Sequence, residues 1–230
     1  LPSVAIMTVA GLLISSFQEK QISLGFTRFI QPMAVGLISY AAYSISLKTV
    51  KSTIGLVLMV IAAVASYFIK TPFVFPIILT IAGVVTAFDY KAHPKEEKKK
   101  IDVPWSNFFL WAGVLIFAAI VGGITKFLPV LLFENFYRNG SLIFGGGQVL
   151  TPMLFTEFVQ YPKLYHPLSA QEFLSGYALA QSVPGPVFSF SAYIGVLSMR
   201  DYGIGGEILG AMMSAAGIFL PGTFLVFFII

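Results

Sequence analysis

Two interruptions of apolar sequence carry the residues whose types and spacing could do chemistry. The first starts at Phe144 and continues with Gly145, Gly146, Gly147 and Gln148. Glycine inside a helix costs about 1 kcal/mol relative to alanine, so this run predicts a broken helix. A helix that restarts at such a break presents backbone N–H groups, which bind anions. The alternative is that the glycines let a neighbouring helix pack closely.

The second interruption is Pro184-Gly185-Pro186, which closely follows the polar pair Gln181 and Ser182. Each proline lacks a backbone N–H and clashes with the preceding turn, so one helix must end here and another must begin. Backbone groups freed inside a bilayer have to be buried or line a wet cavity. A simple kink is the alternative for each break, but the presence of both favours half-helices arranged around a substrate.

Together the two breaks define a predicted anion site. A buried anion must be compensated by aligned N–H donors, helix N-termini or a cation. We expect donors from the glycine run and from the helix that starts at Pro186, with amide donors from Gln148 and Gln181 and a hydroxyl donor from Ser182. For each single side chain, a hydrogen bond to its own helix is the alternative.

Basic side chains are scarce around this predicted site. Between residues 141 and 197 the only one is Lys163, in a polar loop. Lys126, Arg138 and Arg200 flank the region and could reach the mouth of a cavity, although an interfacial position is the commoner fate of such side chains. The sequence therefore leaves the source of positive charge open.

Glu157 is the predicted proton-coupling residue. A carboxyl group among apolar neighbours can alternate between a neutral and an ionised form as its surroundings change. The alternatives are a helix-end carboxylate at the membrane surface or an ion pair with Lys163. Glu134 and Glu172 are interpreted as helix-terminal residues, and His166 as a loop residue.

The composition is that of a membrane protein. Hydrophobic residues make up 57% and charged residues 10% of the 230 residues, and the mean hydropathy is +0.87. Globular proteins have about 25% charged residues, so the composition excludes soluble enzymes and nucleic-acid-binding proteins. The chain has no cysteine, and His93 and His166 are far apart in sequence. We therefore expect no catalytic residues, no cofactor and no metal site.

The apolar runs predict the elements that position these residues. They cover residues 4–14, 29–47, 53–69, 73–88 and 108–124, followed by a long glycine-rich and proline-rich stretch. A helix needs about 20 residues to cross the hydrocarbon layer, so several spans are short or incomplete. The predicted fold class is an all-α, polytopic transmembrane protein with broken or re-entrant half-helices, forming part of a two-repeat transporter.

Basic residues predict the topology. Residues 90–104 contain five of the 14 Lys and Arg residues and are interpreted as a basic cytoplasmic linker. Two membrane spans before this linker, Lys48 and Lys51 are then also cytoplasmic, and Lys70, one span before it, is outside. This topology agrees with the rule that cytoplasmic loops carry an excess of positive charge.

The linker separates two predicted halves. Residues 1–89 are interpreted as the C-terminal part of a first transporter half, and residues 105–230 as the N-terminal part of a second. Leu1-Pro2-Ser3 and Leu220-Pro221-Gly222 each precede an apolar run, which is the pattern of an internal repeat. Because the first residue is not Met and apolar runs reach both ends of the sequence, we expect a fragment of a longer chain.

A stripe of small residues, Gly206, Gly210 and Ser214, lies near Gly217 in the last apolar run. Small residues at this spacing allow helices to approach closely. The stripe predicts close packing within the chain or in a homodimer, so a second copy of the chain is a candidate partner.

The segments around the two breaks resemble, in order and spacing, the second-half signature of the chromate ion transporter (CHR) family. The resembling residues are Phe144, Gly145, Gly146, Gly147, Val149, Pro152, Glu157, Val159, Phe173, Gly176, Ala178, Leu179, Gln181, Pro184, Gly185, Pro186, Tyr193 and Gly195. The resemblance implies a multi-pass protein of the prokaryotic inner (plasma) membrane that exports chromate and is coupled to the proton gradient.

The expected partners are thus chromate or a related oxyanion, protons and the lipid bilayer, with no nucleic acid. Two alternatives stay open. Helix N-termini recognise negative charge better than they distinguish one oxyanion from another, so sulfate or a small organic anion could be the cargo. A non-transporting assembly subunit of the membrane would also use close helix packing.

Overall fold

The computed structural model describes residues 2–19, 27–71, 73–88, 105–143, 147–161 and 168–229. These residues form ten α-helices and no strand. The first five helices are α1 (Pro2–Glu19), α2 (Thr27–Thr49), α3 (Thr53–Phe68), α4 (Val74–Phe88) and α5 (Trp105–Thr125). They coincide closely with the predicted apolar runs, and the predicted all-α class is confirmed.

The remaining helices are shorter and more interrupted, except for the last. They are α6 (Leu128–Leu142), α7 (Gly147–Phe155), α8 (Ala170–Ser182), α9 (Phe190–Ser198) and α10 (Gly203–Ile229). A π-helical turn, Thr156–Gln160, continues α7, and 3-10 turns at Val187–Ser189 and Arg200–Tyr202 precede α9 and α10. The predicted linker at 90–104 and the loop residues Lys163 and His166 lie outside the described residues.

By length and composition, the segments Trp105–Thr125 and Arg200–Phe227 can cross a membrane. The apolar helices α3 and α4 have 16 and 15 residues. Helix α3 has no buried residue and α4 buries only Val74, so both turn their apolar side chains away from the rest of the chain. Lipid solvates such a surface, whereas water disfavours it by about 25 cal/mol per Å².

The core forms around α9, in which all nine residues are buried. The ring of Phe190 lies 4.9 Å from that of Phe173 in an edge-to-face arrangement and 5.9 Å from that of Tyr193 in a stacked one. A buried Phe contributes about 1.5–3 kcal/mol, with a further 0.5–1.5 kcal/mol for each favourable ring pair. This aromatic cluster joins α8 to α9 and fixes the helices on both sides of the second break.

Small residues bring α10 against its neighbours. A Cβ atom at Gly195 on α9 would overlap the Gly210 carbonyl and the Ser214 hydroxyl of α10. A Cβ atom at Gly217 would lie 2.6 Å from the carbonyl oxygen of Phe133 on α6. The predicted close packing is therefore confirmed within the chain, while the homodimer stays a prediction.

Candidate anion site and buried carboxylate network

The second break lies where the sequence predicts it. Helix α8 ends at Ser182, and the last hydrogen bond of the helix is donated by the backbone N–H of Val183 to the Leu179 carbonyl at 3.1 Å. The chain then runs through exposed Pro184 and Pro186 before the 3-10 turn that leads into α9. Gly185 has φ +147°, a backbone conformation that other residues adopt only with strain.

The first break lies between α6 and α7. Helix α6 ends at Leu142 and α7 begins at Gly147, so the predicted interruption is confirmed. Phe144, Gly145 and Gly146 lie outside the described residues, as does the side chain of Gln148. Their predicted role in anion binding stays a prediction.

The structure brings the two breaks together. A Cβ atom added to Gly147 would lie 2.7 Å from Cβ of Val187, which stands directly after Pro186. The start of α1 joins them, because a Cβ atom at Gly185 would lie 2.6 Å from Cβ of Ser3. The start of α7 and the 3-10 turn before α9 are therefore neighbours, as the paired half-helix hypothesis requires.

The polar side chains before the second break differ in what they contact. The Ser182 hydroxyl donates to the Ala178 carbonyl of its own helix at 3.1 Å. This contact is the predicted alternative to anion binding. The Gln181 amide donates to the Tyr177 hydroxyl at 2.9 Å. Gln181 also lines a cavity of about 300 Å³ between α2 and α8, together with Lys48.

Glu157 lies in the π-helical turn after α7 and is buried, with 5% of its surface exposed. One carboxylate oxygen accepts hydrogen bonds from the amide of Asn135 and, at 2.5 Å, from the guanidinium of Arg138. The other accepts from the amide of Asn139 at 2.8 Å. Every partner is a side chain of α6, so this carboxylate joins α7 to α6.

Arg138 stands between two carboxylates. It contacts Glu134 at 3.5 Å as well as Glu157, and its side chain is 32% exposed. The interfacial position expected for Arg138 stays a prediction. Glu134, expected at a helix end, lies inside α6 instead. Lys163, the alternative partner considered for Glu157, lies outside the described residues.

Glu172 forms the other buried carboxylate pair, at the start of α8. Its carboxylate accepts from the backbone N–H of Ser169 at 2.5 Å, and the Ser169 hydroxyl accepts from the backbone N–H of Glu172 at 3.1 Å. Arg200 donates to the same carboxylate, and the Tyr193 hydroxyl donates to the Glu172 carbonyl at 3.0 Å. The prediction of a helix-terminal role for Glu172 is confirmed.

Sequence reasoning missed the contribution of α6. This helix has a polar stripe on one face. It starts at Glu134 and continues one, four and five positions later with Asn135, Arg138 and Asn139. Polar residues at membrane depth mark functional positions, and this periodicity was the available signal. Within the described residues, no group of three or more His, Asp or Glu side chains could hold a metal ion.

Comparisons with known proteins identify the family of the chain. The family model described as "Chromate transporter" matches residues 1–88 and 130–230. An uncharacterized transporter of Methanocaldococcus jannaschii is 24% identical over 229 residues, which is 96% of this chain and 53% of the relative. A probable chromate transport protein of Synechococcus elongatus is 28% identical over 189 residues, 81% of this chain and 44% of the relative.

A chromate transport protein of Cupriavidus metallidurans is 34% identical over 86 residues, which is 37% of this chain and 19% of the relative. No solved structure matches. The chain spans about half the length of the two relatives that cover most of it. Since the family model matches on both sides of the basic segment and covers most of the sequence, the chain belongs to the chromate transporter family.

Proposed function

We propose that the protein exports chromate across the inner membrane and is driven by the proton gradient. The observation that carries this proposal is the contact between the two breaks, at Gly147 and Val187. Gly147 begins the helix that leads to the buried Glu157. Two relatives support the choice of chromate: the probable chromate transport protein of Synechococcus elongatus and the chromate transport protein of Cupriavidus metallidurans.

The breaks suit a tetrahedral dianion. Such an ion loses its hydration on entering a membrane protein and has to regain hydrogen bonds from the protein. Helix N-termini provide aligned N–H donors and a partial positive charge without a flexible side chain. In this proposal the donors are the backbone N–H groups of the glycine run up to Gly147, those of Gly185 and of the turn that begins after Pro186, and the amides of Gln148 and Gln181.

The carboxylate network provides a mechanism for proton coupling. Glu134 and Glu157 share the single guanidinium of Arg138. A proton taken up by Glu157 removes one negative charge and weakens the bond to Arg138, which keeps Glu134 as its partner. Because Glu157 lies at the far end of α7 from Gly147, a shift of α7 would link anion binding to this exchange of partners.

The wider setting is part of the same proposal. The predicted first and second halves, separated by the linker at 90–104, would form a multi-pass transporter without catalytic residues. A homodimer would use surfaces other than Gly210 and Gly217, which pack inside the chain.

The test is chromate uptake into everted membrane vesicles from cells that produce the protein. Export becomes uptake in this orientation, and the proton gradient can be collapsed with an ionophore. We expect uptake that falls when the gradient collapses and that a tenfold excess of sulfate inhibits weakly. Vesicles with the same amount of a Glu157→Gln variant serve as the matched control.

The other outcomes identify the alternatives. Equal inhibition by sulfate would mean a general oxyanion carrier. Uptake that ignores the gradient would overturn the coupling. No anion uptake by correctly inserted protein would overturn the transport assignment and leave an assembly subunit.

A further inference from the structure

The arginine side chains that the structure describes, those of Arg138 and Arg200, do not supply positive charge to the two breaks. Arg138 is paired with Glu134 and Glu157, and Arg200 with Glu172. Each guanidinium is thus compensated by carboxylates of the same chain. A dianion at the breaks would need another cation. Each helix N-terminus provides only about half an elementary positive charge, so two of them do not balance a charge of −2.

Lys48 is a cation next to the second break. It lies in the last turn of α2 and lines the cavity of about 300 Å³ that α2 forms with α8. Among the described residues, Lys48 takes part in no ion pair. Lys126 lines a different cavity, with Met199 and Tyr202, and is therefore remote from the breaks.

The rest of the cavity wall is rich in hydrogen-bond donors. Helix α2 contributes the hydroxyls of Tyr40 and Ser44, and α8 contributes Tyr177 and Gln181. Among the described residues that line the cavity there is no Asp or Glu. Hydroxyl, amide and ammonium groups without a carboxylate match the acceptor oxygens of an oxyanion.

The cavity lies close in sequence to the second break. Gln181 stands in the last turn of α8, three residues before Pro184, and Gly185 contacts the start of α1 at Ser3. Positive charge on the cytoplasmic side, as the sequence predicts, would place Lys48 on the side from which an exporter takes up its cargo.

We propose that Lys48 and Gln181 form a loading site for a tetrahedral oxyanion dianion such as chromate at the cytoplasmic mouth of the transport path. This inference rests on the proposed transport function. Lys48 attracts and pairs with the anion, Gln181 donates from the opposite helix, and the anion then moves to the N–H donors at the breaks. Loading precedes the gated step, so the site determines apparent affinity rather than turnover.

The test compares Lys48→Gln with Lys51→Gln. Both lysines are exposed, but only Lys48 lines the cavity, so Lys51→Gln removes an equal charge outside it. In everted vesicles we expect Lys48→Gln to raise the KM for chromate about tenfold with kcat changed less than twofold, because ionic contacts to a bound group govern affinity. Lys48→Arg should restore most of the affinity, and Lys51→Gln should behave as the wild type.

A second variant tests the partner helix. Gln181→Glu keeps the shape of the side chain but places a carboxylate opposite Lys48, so the KM should rise at least as much as in Lys48→Gln. Raising the salt concentration should weaken chromate affinity more in the wild type than in Lys48→Gln, because only the wild type has the screened charge pair. Equal KM values for Lys48→Gln and Lys51→Gln would overturn the loading site.

Direct binding of chromate to the purified protein separates this inference from the proposed transport. Binding that depends on Lys48 without any uptake by the wild type would support the anion site and overturn the transport function. Chromate uptake by the wild type, with unchanged affinity in Lys48→Gln, would support the transport function and overturn the loading site. If the wild type neither binds nor transports chromate, both proposals fail.

Discussion

Glu157 and Glu172 are both buried and both bind an arginine, but they are held in different ways. Glu172 closes a capping box, so its carboxylate bonds to the backbone at the start of its own helix. Glu157 bonds only to side chains of another helix, through Asn135, Arg138 and Asn139. A cap holds its carboxylate as long as the helix exists, whereas contacts between helices can be exchanged when the helices shift.

The N-terminal ends of α7 and α8, the helices next to these two carboxylates, also differ in what they contact. Helix α8 begins with the capping box of Ser169 and Glu172. Helix α7 begins at Gly147, against the other break. We therefore interpret the start of α8 as a structural anchor and α7 with its π-helical turn as the part that responds to ligand, since such turns recur at functional sites.

The largest expected effect is the loss of Arg138. Arg138→Met leaves Glu157 without its cation, and breaking a buried ion pair costs about 3–5 kcal/mol, with the lower figure expected because this guanidinium is partly exposed. Arg200→Met should cost less, about 1–2 kcal/mol. Glu172 keeps its backbone N–H partner and the favourable helix dipole, whereas loss of Arg138 leaves both Glu134 and Glu157 without their shared cation. Thermal unfolding in detergent measures both.

The double variant Arg138→Met with Glu157→Gln provides the control, since neither charge remains to be compensated. It should recover most of the stability that Arg138→Met loses. Equal destabilisation by Arg138→Met and Arg200→Met would contradict the distinction between the two carboxylates.

Replacing the glycine at the start of α7 should have the next largest effect. The Cβ atom of Gly147→Ala would meet Val187, so the two breaks must separate, at a cost of about 1–3 kcal/mol for overpacking. Chromate uptake should fall along with stability. Gly36→Ala, at a position with open space around it, is the matched control. If Gly147→Ala retains full uptake and stability, the contact between the breaks is not required.

Glu157→Gln should change coupling more than stability. The amide fills the same space but cannot exchange a proton, so accumulation of chromate against its gradient should fall about tenfold, equivalent to about 1.4 kcal/mol. Downhill chromate exchange should persist and lose its dependence on pH. Glu172→Gln serves as the comparison, with its pH profile unchanged. Glu157→Gln with a normal pH profile would show that the proton binds elsewhere.

The smallest expected effect comes from the cap of α8. Ser169→Ala removes the side-chain acceptor for the Glu172 N–H and should cost about 1 kcal/mol. Uptake per folded molecule should stay within twofold of the wild type, as should its pH profile. A change in coupling here would mean that the start of α8 also moves during transport.

The sequence by itself was enough for much of the site's framework. Composition gave the membrane class, and the chemistry of proline and glycine located both breaks, which the structure has at the ends of α6 and α8. The small-residue stripe correctly predicted the close approach of α10 at Gly210. Glu157 stood out as a carboxyl group among apolar neighbours, and it is buried. The signals of these features are local, since they depend on residue type and on immediate neighbours in the sequence.

Only the tertiary structure decided which distant residues meet. It pairs Glu157 with Arg138, places Glu134 inside α6, brings Gly147 against Val187, and puts Lys48 beside Gln181. Each of these contacts depends on how helices are oriented and displaced relative to one another, and many orientations would satisfy the same local patterns. The packing of side chains between helices selects one of them, and with it the charge balance of the site.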